Sequence, residues 1–552
     1  MITIKKILTD WLLLIIILFA AVLRLWNLGN IPPHLTPDEA SLGYNAYSIL
    51  KTGKDEYGKV LPFIFKSFGD YKPGLYVYLT VPFVGAFGLN EWSVRLPSAV
   101  AGILSVWLVY LVVLSLFKDK KLSLLSAFVA SITPWLIYFS RGAWEVNVSL
   151  ALVLAGIYFF LKALHSPRFM VHSLAFFSAT LLTYQGAKLS TGIVVLILLV
   201  VYWKDFWKIN KRHLILAVVV GLVIATPIIF SLFRGQTGRL NVFSVFSYPR
   251  SQEYLQKFLD HGREKIGSLS YYLFHSEALN FKRGILGRYF NHFSGRFLFF
   301  EGDWANPRHS APYQGMLLLS DIVLLILGLI YVVKNYSSNS KNFLLILAWL
   351  VLAPLPAVLS RDQVHAVRAM NMVVPLIIVI SFGLREILQK PRVLAAGFGI
   401  FYFLAFTYFT DAYYLHVPKH NSQLWEYGYK QIVETVTPIQ GNYKKVLVQQ
   451  SFAQPYIYFL FFQKYDPVKY QKEAELTVAD SVLDVGYVTK LDNIEFGPID
   501  WSVNRGDHST LIVGDTVRIP PEDSKDEDLF KLIKEIKYLN GRDTAFRILE
   551  IK

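Results

Sequence analysis

Long uninterrupted runs of apolar residues dominate the chain up to about residue 416. Most are about 17 to 24 residues long, the length that an α-helix needs to cross a hydrocarbon core. We therefore predict an α-helical polytopic membrane protein with about eleven transmembrane helices. The predicted spans lie at roughly 9–28, 93–117, 122–140, 146–164, 170–186, 189–203, 213–233, 314–334, 342–360, 367–388 and 392–416.

One further apolar run, 73–88, is ambiguous by hydropathy alone. If it crossed the membrane, every later loop would change sides, so the distribution of Lys and Arg can decide the matter. Leaving it out places most basic loop residues on the side of the N-terminus, including the clusters at 118–121, 204–212 and 385–392. We therefore predict an interfacial helix at 73–88, a cytoplasmic N-terminus and a C-terminus outside.

This topology leaves three long segments on the outer face: loops at about 29–92 and 234–313, and a tail at 417–552. The tail combines β-like runs with a charged stretch, 525–539, that has a helical pattern and precedes an Asn540-Gly541 turn. The β-like runs are 445–449, 481–488, 511–518 and 546–551. We predict a transmembrane domain at 1–416 and a small extracytoplasmic α/β domain at 417–552.

Composition agrees with this class of protein. The chain has 54% hydrophobic and 17% charged residues, whereas soluble domains carry about 25% charged residues. The absence of cysteine excludes disulfides and thiolate sites. A net charge of +15 fits basic cytoplasmic loops and sites for phosphate or anionic lipid better than it fits nucleic acid. The first apolar run lacks a cleavage pattern, so we expect a retained span.

The first outer loop contains Thr36-Pro37-Asp38-Glu39 at the start of a helical pattern that ends at Gly53. Thr36 suits the N-cap, Pro37 suits the first helical position, and Glu39 completes a capping box with Thr36. Capping explains Glu39 well, but it explains Asp38 only as a favourable charge in the first turn. The alternative is that Asp38 faces a cavity at membrane level and acts as a general base.

Lys72 lies in the segment Asp70-Tyr71-Lys72-Pro73-Gly74. Pro73 predicts a helix start, which would place Lys72 beside the positive end of a helix dipole, where a cation is unfavourable. A cation and free backbone N–H groups at one helix end would bind an anion, most obviously phosphate. The alternative is a lysine that snorkels to lipid headgroups.

The other outer loops add polar side chains at the membrane edge, which either anchor the protein to headgroups or line the same cavity as Asp38 and Lys72. These are Arg141, Glu145, His309, Arg361, His365 and Arg368.

Few ionisable residues lie within the spans, which argues against an ion-coupled transporter. The chain has no glycine-rich phosphate loop, and an outer site cannot rely on cytosolic nucleotides. A lipid-phosphate-linked donor therefore fits.

Three motifs follow one another after the first span: Asp38-Glu39, the segment 71–76 and the segment 87–98, which ends in Arg-Leu-Pro-Ser. This order resembles the GT-C integral-membrane glycosyltransferases, in the branch of protein O-mannosyltransferases and lipid A aminoarabinose transferases (glycosyltransferase families 39 and 83). The resemblance covers residues 1–200 by motifs and the remainder by architecture. The Lys-Pro-Pro-Leu motif of that branch occurs here at 72–75, with glycine in its third position.

The resemblance implies a polyprenyl-phosphate monosaccharide donor, undecaprenyl or dolichyl, and a glycan, lipid or protein acceptor. It implies that Asp38 activates the acceptor hydroxyl, that Lys72 binds the donor phosphate and that Arg141 lies near the same pocket. The candidate site comprises catalytic Asp38 and Glu39, donor-phosphate-binding Lys72, Arg141 and Arg368, and substrate-binding Tyr71, Glu145, His309 and His365.

In the aminoarabinose enzymes a carboxylate precedes the motif lysine and helps to hold a metal, whereas Tyr71 occupies that place here. A divalent metal stays an open question, and no other cofactor is expected. Membrane lipids are expected partners and nucleic acid is not. Asp38 without a second carboxylate placed as a nucleophile favours inversion at the anomeric carbon.

Two other functions are compatible with a multi-spanning chain that carries large outer loops. A lipid-linked glycan ligase or polymerase would move a whole glycan rather than one sugar, so donor size separates it from a monosaccharide transferase. A lipid or glycan transporter would need ionisable or glycine-broken spans near the midplane. We expect a bacterial plasma membrane, because targeting signals are absent.

Overall fold

The computed structural model describes residues 2–235, 244–450, 454–473, 476–477 and 486–552. Most of the described residues up to about 436 are helical, and most strands lie near the C-terminus. The α-helices are α1 (Ile2–Leu25), α2 (Pro37–Thr52), α3 (Leu75–Phe87), α4 (Glu91–Phe117), α5 (Lys120–Ile132), α6 (Pro134–Ser140), α7 (Glu145–Ala163), α8 (Met170–Thr180), α9 (Ala187–Val201), α10 (Trp203–Phe206), α11 (Lys211–Phe233), α12 (Gln252–His261), α13 (Glu277–His292), α14 (Asp321–Lys334), α15 (Ser340–Leu352), α16 (Leu355–Val358), α17 (Val373–Leu388), α18 (Arg392–Asp411), α19 (Val417–His420), α20 (Tyr429–Val436), α21 (Tyr456–Phe462), α22 (Pro467–Glu473) and α23 (Trp501–Asn504).

Six helical segments of the described residues are long and apolar enough to cross a membrane. They are Glu91–Phe117, Glu145–Ala163, Lys211–Phe233, Tyr336–Val358, Met370–Leu388 and Arg392–His420. The pair α5 and α6 makes a seventh if it is one span, bent by 57° where Pro134 interrupts the helical hydrogen bonds. The prediction of a mostly helical membrane protein is confirmed, and the count of eleven spans stays a prediction.

The apolar run at 73–88 forms α3, which has 13 residues. Its length of about 20 Å is shorter than a hydrocarbon core of about 30 Å. The expectation that a helix begins at Pro73 is wrong, because residues Asp70–Pro73 form strand β2, which pairs antiparallel with β1 (Ile64–Ser67). Lys72 therefore lies on a β-hairpin, opposite Phe65, and not at the end of a helix.

Helices α14 and α17 pack so closely that their glycines contact the facing backbone. A Cβ atom added to Gly328 would lie 1.9 Å from the carbonyl oxygen of Val379, and one added to Gly383 would lie 1.9 Å from that of Leu324. Small residues allow this approach of two helices, as they do at many interfaces between membrane helices.

A six-stranded mixed sheet forms the centre of the C-terminal segment, in the order β6-β7-β3-β8-β10-β9. Strand β3 is parallel to both β7 and β8, and the other pairs are antiparallel. A separate short pair joins β4 and β5. The strands are β3 (Lys445–Gln449), β4 (Leu476–Thr477), β5 (Tyr487–Val488), β6 (Lys490–Leu491), β7 (Ile494–Gly497), β8 (Thr510–Gly514), β9 (Phe530–Lys537) and β10 (Thr544–Ile551).

The charged stretch 525–539, predicted to be helical, is instead largely strand β9. It forms a hairpin with β10 around the predicted Asn540-Gly541 turn, where Gly541 has a φ of 72°. A register shift between Leu532 and Lys534 interrupts the alternation of the strand, so Phe530 and Ile536 pack on opposite faces of the sheet, in two separate apolar clusters. The spacing of charged and apolar residues in this stretch suggested a helix, but the hydrogen bonds between β9 and β10 determine its structure.

The predicted strand at 445–449 is confirmed as β3, and the one at 546–551 is confirmed within β10. The strand predicted at 511–518 is shorter than expected, since β8 ends at Gly514. Of the run predicted at 481–488, residues 481–485 lie outside the described residues.

The C-terminal segment packs against α2 and the turn before it. The hydroxyl of Tyr458 donates to the carbonyl of Leu35 at 3.0 Å, and the hydroxyl of Tyr44 donates to the carbonyl of Tyr465 at 3.1 Å. The tail therefore supports the helix whose first turn carries Asp38.

Candidate active site at the first outer loop

Helix α2 begins with the predicted capping box. The Thr36 hydroxyl accepts from the Glu39 amide at 3.2 Å, and the Glu39 carboxylate accepts from the Thr36 amide at 2.9 Å. The helix ends at Gly53, as predicted, with a left-handed φ of 70°. Asp38 is the second residue of the helix, and 61% of its side chain is exposed. Its carboxylate is therefore accessible to a substrate.

The β1–β2 hairpin brings Lys72 to Asp38, and the two side chains form an ion pair. Lys72 is 23% exposed, and its ammonium group lies 5.7 Å from the centre of the Phe68 ring. Burial lowers the pKa of Lys72, but the charges of Asp38 and Glu145 outweigh burial and raise the pKa above its ordinary value. Lys72 therefore stays a cation, which is what a phosphate ligand requires.

A small cavity adjoins this pair and is lined by both polar and apolar side chains. The Ser41 and Ser67 hydroxyls are 2.9 Å apart, and the Asn45 amide donates to the Glu56 carboxylate at 3.0 Å. Hydroxyl and amide groups of this kind suit a ligand rich in hydroxyls. The lining residues are Asp38, Ser41, Leu42, Asn45, Phe65, Ser67, Lys72, Pro73 and Val77.

Glu39, expected beside Asp38 in the catalytic motif, is buried and engaged by structural partners. Besides the Thr36 amide, its carboxylate accepts from Arg95 Nε at 3.1 Å and from the Ala143 amide at 2.8 Å. It thereby joins the first turn of α2 to α4 and to the turn before α7. These contacts favour a positioning role for Glu39.

Arg95 is a residue to which the sequence analysis assigned no role beyond the Arg-Leu-Pro-Ser motif. Its side chain is fully buried. In addition to Glu39, its guanidinium donates to the carbonyls of Leu28 at 3.0 Å, Pro32 at 2.9 Å and His34 at 2.7 Å. Arg95 therefore holds the chain that leads from α1 into Asp38.

Arg141, expected to bind donor phosphate, directly follows α6. Its side chain is fully buried and contacts the C-terminal end of α1. Its terminal nitrogens donate to the carbonyls of Leu23 at 3.0 Å, Trp26 at 2.7 Å and Ile31 at 3.1 Å. Both terminal nitrogens are thus committed to backbone carbonyls, which favours a structural role for Arg141 in this state.

Glu145 and Arg368 extend the charged site beyond Asp38 and Lys72. Glu145 begins α7 and acts electrostatically on Lys72. The Tyr184 hydroxyl interacts with both Arg368 and Glu145, and Arg368 also pairs with Asp362 at 2.9 Å. Lys72, Glu145, Tyr184 and Arg368 therefore form one connected set of polar groups.

Tyr71 links the hairpin to the turn before α9, since its carbonyl accepts from the Gln185 side chain at 2.6 Å. The amides of Gly74 and Leu75, at the start of α3, donate at 2.9 Å to the carbonyls of Phe63 and Leu182. Two donors that were expected to be free for an anion thus have backbone partners.

His309 and His365 come together with Asp303 in a buried cluster. His309 Nδ1 lies 2.8 Å from Asp303 Oδ2, and the two imidazole centres are 5.2 Å apart. Burial lowers the pKa of His365 well below its ordinary value, and the positive charge of Arg368 adds to this. His365 is therefore neutral at physiological pH. Among the described residues, this cluster is the one with donor atoms close enough to hold a metal.

Glu426 is a second residue that the sequence analysis missed. Its carboxylate accepts from the Tyr458 hydroxyl at 2.7 Å and interacts electrostatically with Arg308 and Asp38. Burial raises the pKa of Glu426 to about 7. No local pattern marks this residue, because it comes from the tail and reaches the site only through tertiary packing.

Comparisons with known proteins agree with the fold. The family model described as dolichyl-phosphate-mannose-protein mannosyltransferase matches residues 72–230. The structure of apo ArnT from Cupriavidus metallidurans superposes with a TM-score of 0.53 at 13% identity and covers 98% of both chains. The structure of the same protein bound to undecaprenyl phosphate gives a TM-score of 0.52, again at 13% identity and 98% of both chains.

The apo oligosaccharyltransferase of Archaeoglobus fulgidus gives a TM-score of 0.47 at 14% identity, over 83% of this chain and 64% of that chain. No curated protein sequence matches the chain. The family match over residues 72–230 and the ArnT-like fold of the whole chain bear out the resemblance to integral-membrane GT-C glycosyltransferases that the sequence motifs indicated.

Proposed function

We propose that the chain transfers a single sugar from a polyprenyl-phosphate donor to an acceptor hydroxyl on the outer face of the membrane. The observation that carries this proposal is the pairing of an exposed carboxylate, Asp38, with a cation, Lys72, beside a cavity whose lining includes hydroxyl and amide groups. The ArnT structure with undecaprenyl phosphate supports it, because that protein has the same fold and holds a lipid phosphate.

In the proposed reaction, Asp38 removes the proton from the acceptor hydroxyl, and the resulting oxygen nucleophile attacks the anomeric carbon. The bond from that carbon to the phosphate oxygen breaks, and Lys72 with Arg368 stabilises the departing lipid phosphate. Glu39 and Arg95 position the turn that carries Asp38.

Donor binding also explains the resting ion pair. When Lys72 turns to a phosphate, the Asp38 carboxylate no longer pairs with the Lys72 ammonium and becomes a better base. Among Asp38, Glu145 and Glu426, Asp38 is the exposed carboxylate, and a single accessible base favours inversion of the anomeric configuration.

The first test is thermal stabilisation of the detergent-purified chain by undecaprenyl phosphate, which should raise the melting point of the wild type. Lys72→Ala removes one charge-assisted hydrogen bond, which is worth about 1.5 to 3 kcal/mol. This variant should therefore bind undecaprenyl phosphate about 10- to 150-fold more weakly than the wild type. Lys59→Ala, at an exposed position of the same loop, is the matched control. Full stabilisation of Lys72→Ala would contradict the phosphate assignment.

Asp38→Asn separates binding from chemistry. Transfer from a labelled polyprenyl-phosphate sugar to membrane extract should be abolished. Binding of the bare lipid phosphate should be unchanged or tighter, because Lys72 loses the carboxylate with which it pairs directly. Wild-type turnover in this variant would remove Asp38 from the mechanism.

For the topology we propose eleven spans, with residues 1–416 as the transmembrane domain and residues 417–552 as a domain outside a bacterial plasma membrane. Since the chain has no cysteine, single cysteines report on sidedness without background. Lys490→Cys should react with a membrane-impermeant thiol reagent in intact cells, whereas Ser337→Cys should react only after permeabilisation. The reverse pattern would invert the topology.

A further inference from the structure

The cluster of Asp303, His309 and His365 joins two outer loops beside the candidate active site. One donor atom from each residue lies within 4.8 Å of the other two. The three side chains are 0%, 7% and 11% exposed. Asp303 and His309 end the second long loop, whereas His365 lies in the loop before α17, three residues from Arg368.

Ordinary hydrogen bonding explains part of this cluster. Asp303 Oδ2 accepts from Ala366 N at 2.8 Å and is 2.8 Å from His309 Nδ1, while Asp303 Oδ1 accepts from Asn306 N at 3.1 Å. These contacts account for the burial of Asp303 and for one nitrogen of His309.

They do not account for the side chain of His365. Its ring accepts from Arg368 N at 3.4 Å and lies 3.9 Å from Asp362 Oδ2. Both distances are long for a hydrogen bond, and burial of an imidazole without good partners is costly. A ligand that takes up an imidazole lone pair would account for the position of this ring.

We propose that Asp303, His309 and His365 bind one divalent transition-metal ion, with Zn²⁺ as the best match. Two imidazoles and one carboxylate form a donor set typical of zinc, whereas Mg²⁺ and Ca²⁺ prefer oxygen ligands alone. Donors about 2.0 to 2.1 Å from zinc in a tetrahedral shell lie roughly 3.3 Å apart, so donor atoms that are now up to 4.8 Å apart must approach one another by up to about 1.5 Å. Rotation of the two rings can supply that movement.

The surrounding structure already orients these ligands. His292 Nε2 accepts from the His365 amide at 3.2 Å, while His292 Nδ1 lies 2.7 Å from the Arg288 carbonyl, so His292 anchors the backbone of a ligand. A bound ion would fasten the end of the second long loop to the loop that carries Arg368. With three protein ligands, a fourth position is left for water or a substrate oxygen.

Metal content tests this proposal without reference to transferase activity. The full-length chain, purified in detergent, stripped with a chelator and dialysed against Zn²⁺, should retain one Zn²⁺ per chain by elemental analysis. Mutation of residues that hydrogen-bond to metal ligands weakens metal binding about 10- to 100-fold. His309→Gln and His365→Gln each remove a ligand itself, so each should weaken Zn²⁺ binding by at least about 100-fold. His261→Gln, at an exposed position on α12, is the matched control and should bind Zn²⁺ as the wild type does.

Two measurements on the unmodified chain guard against variants that fail to fold. Zn²⁺ should raise the melting point of the wild type, and Co²⁺ should give the visible spectrum of a tetrahedral site. A wild type that retains no more Zn²⁺ than the His309→Gln/His365→Gln double variant would overturn the proposal, and so would an octahedral Co²⁺ spectrum. The outcome for undecaprenyl phosphate and Lys72 is read separately, so either proposal can fail alone.

Discussion

Arg95→Met removes the guanidinium that holds the chain between α1 and α2 against α4. Methionine keeps much of the length and apolar volume of the side chain, so the change isolates the loss of charge and of hydrogen bonds. Arg95 is fully buried, and its partners are the Glu39 carboxylate and the carbonyls of Leu28, Pro32 and His34.

The expected loss of stability follows from what stays behind. Removing one member of a buried ion pair costs about 3 to 5 kcal/mol, because the other charge remains buried without its partner. Glu39 keeps the amides of Thr36 and Ala143 at 2.9 and 2.8 Å, which offset part of that cost. The carbonyls that Arg95 no longer reaches add to the destabilisation. Each one costs about 1 to 3 kcal/mol where water cannot reach it. We expect a net loss of about 4 kcal/mol.

The assay is unfolding of the purified chain in one detergent, for Arg95→Met, Glu39→Gln and the double variant. Because the two residues form one pair, the double variant should lose at least about 1 kcal/mol less than the sum of the single losses. Arg212→Met, at an exposed arginine, is the control and should change little. A loss below about 1 kcal/mol in Arg95→Met, or strictly additive losses, would refute the reasoning.

Two further predictions concern a buried acid and a helix contact. Burial raises the pKa of Glu56 from 4.5 to about 8, so between these pH values the folded chain holds a proton that the unfolded chain releases. Stability should therefore fall as pH rises through this window, and Glu56→Gln should flatten the plot of melting point against pH; an unchanged slope would exclude Glu56 as its source. Gly383→Ala should lower the melting point, because its Cβ would meet the Leu324 carbonyl at 1.9 Å, whereas Gly397→Ala, with no atom within 4 Å, should not. Equal melting points in these two variants would contradict the close packing of α14 and α17.

Features that depend on neighbouring residues could be predicted from the sequence. The capping box of Thr36 and Glu39, the end of α2 at Gly53 and the turn at Gly541 all involve residues within a few positions of one another. Prediction failed at two places where pairing with another segment decided the structure. Asp70–Pro73 was expected to lead into a helix but pairs with β1, and the charged stretch before Gly541 pairs with β10.

The same distinction applies to the candidate site. The motifs around Asp38 and Lys72 indicated both residues, but no local rule predicted that Glu39 also accepts from Arg95 and the Ala143 amide, or that Arg141 donates to backbone carbonyls. Glu426 escaped prediction altogether, because its approach to Asp38 depends on how the tail packs against α2.

The sequence by itself determined that the chain is a helical membrane protein, since apolar runs long enough to cross a bilayer have no other stable location. It also determined the family resemblance, through short motifs. Only the tertiary structure decided that Lys72 meets Asp38 across 34 positions of chain, and that Asp303 meets the loop of His365 across about 60. Such contacts depend on the free energy of the whole packed chain, because no short segment contains both partners.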